Sequence, residues 1–190
     1  MNIKNSIEDS AYLLNEIVKR DGVLNSIQEV ADLLVIKIRN GGKIIFAGNG
    51  GSASQADHIA GEFVGRFLLD RPSMPAMSLS NNSAVITAIA NDFDYTEVFS
   101  RQLDAFGQSS DVFVCLSTSG KSKNLIKACD VAISKLIPTV CLVGFNVSEL
   151  SEKCDYKIHV PSYSTPKIQE AHIVIGHILA EYVERELYAK

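Results

Sequence analysis

The chain has 190 residues, 46% hydrophobic and 21% charged, with a formal net charge of −4, which is the composition of one globular domain with a sizeable core. No basic cluster or run of like charge marks a nucleic-acid surface, and no apolar stretch reaches the length of a membrane span. Cys115, Cys129, Cys141 and Cys154 lack C-x-x-C spacing, and MNIKNSIEDS lacks the apolar core of a signal peptide, so the expectation is a cytoplasmic protein with reduced, buried thiols.

Two amphipathic helices open the chain. The second, SIQEVADLLVIKIRN, places Ser26 and Glu29 at capping-box spacing and sets Ile27, Val30, Ala31, Leu34 and Ile38 on one stripe, with Gly41 and Gly42 ending it. From there apolar runs alternate with helical ones: KIIFAG as a strand, a helix from about Ser52 to Phe67, PAMSLS as a strand, helices over Ser83–Ala90 and Tyr95–Phe106, then DVFVCLS as a strand. The cycle repeats with SKNLIKACDVAISKL as a helix, IPTVCLVGF as a strand, VSELSEKC as a short helix and YKIHVPS as the last strand. Thr165 as N-cap and Pro166 at the first helical position open a final helix running to about Leu187. This alternation predicts an α/β fold: a five-stranded parallel sheet with helices on both faces and extra N-terminal helices. The expected organisation is a single domain over 1–190, with residues 1–40 forming the N-terminal helices and 41–190 the α/β core and C-terminal helix.

In such a sheet the ligand crevice lies outside the carboxyl ends of the strands. GNGGS follows the first strand and STSGKS the third, and each loop leads into a helix. Glycine allows close backbone approach, while hydroxyls and helix N-terminal N–H groups suit an anion, so Ser117, Thr118, Ser119 and Ser122 form a candidate phosphate loop. Neither loop has Walker spacing, and Ala53 stands where G-x-G-x-x-G needs its third glycine, which weighs against a nucleotide. Such loops also occur as plain structural turns. His58 and Glu62 lie one helical turn apart and therefore on one face.

GNGGSASQADHIAGEFVGRF, RPSMPAMSLS, NDF, STSGKS and IQEAHIVIGHILAEYVE together resemble the sugar-isomerase (SIS) domain family. H-x-x-x-E after GNGGS, combined with Q-x(7)-H in the last helix, resembles its heptose-phosphate members in particular. The resemblance implies a flavodoxin-like parallel sheet, a homotetramer with active sites between subunits, and aldose–ketose isomerisation of sedoheptulose 7-phosphate to glycero-manno-heptose 7-phosphate. The product would feed lipopolysaccharide core, S-layer or capsule. By the same resemblance Asn49, Gly50, Gly51, Asn91 and Asp92 would touch the sugar, and Ser117, Thr118, Ser119 and Ser122 would hold the phosphate. His58, Glu62, Gln169 and His177 would bind one zinc ion per subunit, Glu62 and Gln169 also reaching substrate. Glu62 and His177 would act as base and acid.

Moving a carbonyl between C2 and C1 needs a base near both carbons and something to stabilise the oxyanion; a zinc ion held by imidazole and carboxylate can do this as a Lewis acid. Gln169 and His177 stand two turns apart, roughly 12 Å along an ideal axis, so Gln169 must reach inward from the first turn. His172 and His159 read as packing residues. Arg66 and Arg71 could attract an anion or form ion pairs. Asp92 could bind a hydroxyl or cap a turn. Pro166 occupies a position where some relatives carry an acid, so a ring-opening role there is lost. Two other readings stay open: a non-catalytic SIS protein that binds the replication initiator, and an isomerase of another phosphosugar.

Overall fold

The computed structural model describes residues 2–189. Five strands, β1 (Ile44–Gly48), β2 (Ala76–Ser78), β3 (Val112–Ser117), β4 (Thr139–Val143) and β5 (Tyr156–His159), form one sheet in the order β2-β1-β3-β4-β5, with every pair parallel. This is the flavodoxin-like order, and it places a switch point between β1 and β3, whose connections leave in opposite directions. The helices are α1 (Ile3–Val18), α2 (Asp21–Arg39), α3 (Gly51–Val64), α4 (Ser83–Asp92), α5 (Ser100–Phe106), α6 (Lys123–Ser134), α7 (Glu149–Lys153) and α8 (Thr165–Tyr188), with a 3-10 turn at Tyr95–Glu97.

The period of two along each strand divides the core. Ile44, Phe46, Val112, Val114, Leu116, Val140, Leu142 and Ile158 face the layer of α1, α2, α3 and α8. Ile45, Ala47, Phe113, Cys115, Cys141 and Val143 face α5, α6 and α7. Strands buried on both sides are continuous apolar runs, which is why they were readable from sequence. The four cysteines are buried free thiols on the second face; Cys129 Sγ lies 3.7 Å from both Cys115 and Cys154.

Four boundaries differ from expectation. α2 begins at Asp21, whose carboxylate suits a helix start, so Ser26 lies inside the helix and donates to the Gly22 carbonyl at 3.0 Å; no capping box forms there. The expected helix over Tyr95–Phe106 is broken, because Asp94 caps a 3-10 turn through the Thr96 N–H and Val98 and Phe99 turn into the core before α5 starts. The N-cap of α8 is Ser164, with Thr165 already helical, and α3 stops at Val64 rather than Phe67.

The stop after α3 is enforced by a buried ion pair. Glu184 on α8 accepts from the backbone N–H groups of Phe67, Leu68 and Leu69 and from Arg71 Nε at 2.8 Å. Arg71 also donates to the carbonyls of Glu62, Phe63, Gly65 and Pro72, so it closes the end of α3 and is unavailable to attract an anion. Burial alone would raise the Glu184 carboxyl, but the three amides and Arg71 outweigh it and hold the group below the ordinary carboxylate range. Glu184→Gln leaves Arg71 charged and unmatched, and the expected loss in a denaturant titration is about 3–5 kcal/mol.

His172 is fully buried on α8 with no hydrogen-bond partner at either ring nitrogen among the described residues. Burial lowers its pKa from 6.5 to about 4. The unfolded chain therefore takes up this proton at a higher pH than the folded one. Stability from the neutral ring is intact above about pH 6.5 and declines as pH falls toward 4, by up to about 3 kcal/mol. Urea titrations between pH 7 and 4.5 are expected to show this slope, and His172→Leu should flatten it.

Candidate functional site

Two loops meet at the carboxyl ends of β1 and β3. Gly50 stands at φ +55° and ψ −123°, a conformation that side chains resist, and it turns the chain from β1 into α3. A cavity of about 210 Å³ lies beside this turn, lined by Asn49, Ser52, Leu116, Ser117, Thr118, Ser119, Ser122, Thr165 and Gln169. The predicted phosphate residues are therefore brought together. Ser117 is buried and accepts from the Gly120 N–H at 3.1 Å, so its hydroxyl shapes the loop. Ser122 is the N-cap of α6 and makes no side-chain cap bond, leaving its hydroxyl and the helix N-terminus facing this end of the sheet. A second cavity of about 430 Å³ shares Thr118, Ser119 and Thr165 and adds Lys121, Phe145 and Tyr163.

The metal-type residues converge on the facing sides of α3 and α8. His58 Nε2 lies 2.9 Å from His177 Nε2 and 3.3 Å from Glu62 Oε1. One ligand atom from each of the three falls within 4.8 Å of the others, the one such His/Cys/Asp/Glu group among the described residues. Two imidazole nitrogens aimed at one point beside a carboxylate fit a zinc-type ion with a position left open. The Phe67 ring stacks on His177 with centroids 5.4 Å apart, so the loop pinned by Glu184 also orients this imidazole. The Glu62 carbonyl receives Arg71 Nη2 at 2.8 Å, which fixes its helical turn.

Gln169 lies at the other end of the site. Its side chain lines the 210 Å³ cavity and packs over Gly51, and its backbone carbonyl accepts from Gln55 Nε2 at 2.6 Å. The two turns of α8 between it and His177 thus span the two halves of the site. Asn91 and Asp92 occupy the exposed end of α4, bonded to each other at 2.8 Å, and line neither the cavity nor the His-Glu-His group. Three residues outside the sequence expectations matter: Tyr95 and Asn124, both bonded to Asn49, and Phe67. Asn124 had a readable signal, a polar residue next to Leu125 and Ile126 in the first turn of α6.

A family model described as SIS domain matches residues 6–144. The chain is 47% identical over 186 residues to a phosphoheptose isomerase of Sulfurimonas denitrificans, covering 98% of this chain and 95% of that protein. It is 46% identical over 186 residues to one of Aneurinibacillus thermoaerophilus, with 98% and 94% covered. Among solved structures, a phosphoheptose isomerase from Neisseria gonorrhoeae superposes with a TM-score of 0.89 at 31% identity, and one from Francisella tularensis with 0.91 at 29%, each pair covering 96% of both chains.

A Cβ at Gly51 would stand 2.6 Å from Gln169 Nε2, the mobile end of a flexible side chain. Gly51→Ala should therefore displace the amide without unfolding α3. The expected result is phosphosugar turnover lowered on the order of 10²-fold with the thermal midpoint unchanged within about 4 °C.

Proposed function

The chain belongs to the SIS-domain family and is an isomerase, and from that premise we propose that it interconverts sedoheptulose 7-phosphate and D-glycero-D-manno-heptose 7-phosphate. The observation that carries this reading is the convergence of His58, Glu62 and His177 on a site joined through Gln169 to a phosphate-sized cavity. Thr118, Ser119, Ser122 and the N-terminus of α6 hold the phosphate, the Asn49 amide lies where phosphate and sugar meet, and Gly50, Gly51 and Gln169 line the path of the sugar. Glu62 takes the proton from C1, the enediol forms, and the same carboxylate returns a proton to C2. His177 exchanges the proton between the two oxygens. His58, Glu62 and His177 would hold zinc, one ion per subunit, with the Gln169 amide oxygen as a fourth ligand. Bound there, zinc would supply Lewis-acid polarisation of the sugar oxygens.

Assembly as a homotetramer with sites between subunits is part of this reading. It is supported by apolar surface that one copy leaves bare: Ile3, Ile7, Tyr12 and Val18 on α1 are each more than 60% exposed, and α4 buries none of its residues. In such an assembly Asn91 and Asp92 at the end of α4 approach the sugar of a neighbouring copy. The protein works in the cytoplasm, supplying heptose for lipopolysaccharide core, S-layer or capsule. Among the described residues no helix is long and apolar enough to cross a membrane. The retained His58, Glu62, Gln169 and His177 disfavour a non-catalytic binding role.

A coupled assay across five-, six- and seven-carbon sugar phosphates tests the substrate, with the heptose phosphate expected to be turned over fastest. Chelation should abolish turnover and zinc restore it; full activity in stripped protein would rule out the metal. Glu62→Gln keeps an oxygen but removes the base, so turnover and solvent-deuterium entry into the sugar should fall together by about 10²- to 10⁴-fold. Near-normal exchange in that variant would move the proton transfer to another residue.

A further inference from the structure

Asn124 is 3% exposed, sits in the first turn of α6, and carries the most fully determined polar contacts beside the phosphate cavity. The Leu125 backbone N–H donates to Asn124 Oδ1 at 2.9 Å. A backbone amide only donates, so this contact fixes which end of the Asn124 amide is oxygen. Asn124 then meets Asn49 as a reciprocal amide pair. Asn49 Nδ2 donates to Asn124 Oδ1 at 3.0 Å, and Asn124 Nδ2 donates to Asn49 Oδ1 at 2.8 Å. The Tyr95 hydroxyl donates to the same Asn49 oxygen at 3.0 Å.

An amide oxygen has two lone pairs, and both of those on Asn49 are now used; its nitrogen has two protons, and one is used. What remains to Asn49 is a single N–H with no partner among the described residues, on a side chain that lines the cavity. We infer that Asn124 and Tyr95 are positioning residues that make Asn49 a one-way donor, recognising an oxygen that accepts, of the phosphoryl class, and offering nothing to a ligand group that must donate. The inference rests on reading the cavity as the phosphate seat. Two separate segments set the polarity of this one group at the end of β1: the first turn of α6 and the 3-10 turn after α4. Tyr95 thereby also ties the segment that carries Asn91 and Asp92 to the cavity.

The test is a double-mutant cycle read by calorimetry with inorganic phosphate and by kinetics with the sugar phosphate. Asn124→Leu removes the amide and keeps the same branching at Cγ without adding a charge. It is expected to raise the phosphate Kd and the sugar-phosphate KM about tenfold, the scale of one charge-assisted hydrogen bond, with kcat held within about threefold. Tyr95→Phe should raise both about threefold. In an Asn49→Ala background each change should shrink below about twofold, since both residues act through Asn49. If Asn124→Leu fails to fold, Tyr95→Phe, whose residue is more than half exposed, completes the cycle alone. Effects that persist undiminished in the Asn49→Ala background, or an unaltered Kd in the single variants, overturn the inference. Failure of the unsubstituted protein to bind inorganic phosphate overturns the phosphate-seat reading itself, and the inference with it.

Discussion

The site depends on one buried charge. Glu184 has no exposed surface, and a carboxylate in that position persists only when every oxygen is matched. Its partners are the Phe67, Leu68 and Leu69 amides and Arg71, and Arg71 in turn takes up three carbonyls at the end of α3 and that of Pro72. An α-helix ends with carbonyls that lack internal partners. Here a guanidinium satisfies them, so the end of α3 is locked to α8 by a single ionic group. His58 and Glu62 lie on the first of these helices and His177 on the second, and Phe67 is pressed against the His177 ring. The spacing of the three ligand atoms is thus set outside the cluster itself.

The other half of the site follows from the topology of the sheet. Parallel strands buried on both faces leave their carboxyl ends as the place where loops can diverge, and the order of strands puts β1 beside β3 there. Asn49 and Gly50 come from one edge of that gap, Ser117 to Ser122 from the other, and Gln169 enters from above on α8. No one of these segments makes a cavity alone.

Much of this was legible in the chain itself, and for identifiable reasons. Continuous apolar strands, glycine-marked turns and Pro166 in the first turn of α8 are local signals, so all five strands and the long C-terminal helix could be read directly. The pairing of His58 with Glu62 follows from helical spacing. That His177 meets them does not, because it depends on how α8 crosses α3; only the likeness to a family supplied it. Arg71 was open between anion attraction and pairing because its partner Glu184 lies 113 residues away in sequence. The broken helix after Tyr95 and the early start of α2 were hidden for a related reason. Val98 and Phe99 follow the core rather than local propensity, and Ser26 and Glu29 imitate a cap inside a helix.

The loop cavity and the His-Glu-His group share α8 but use different parts of it. The cavity is lined by hydroxyls and backbone at the strand ends together with Thr165 and Gln169 from the first two turns of α8, whereas His177 stands two turns further along, facing His58 and Glu62 on α3. None of His58, Glu62 and His177 lines the cavity, so substitutions there leave its lining in place. A few helix-surface positions can therefore change what chemistry the scaffold performs while the pocket at the strand ends keeps its shape.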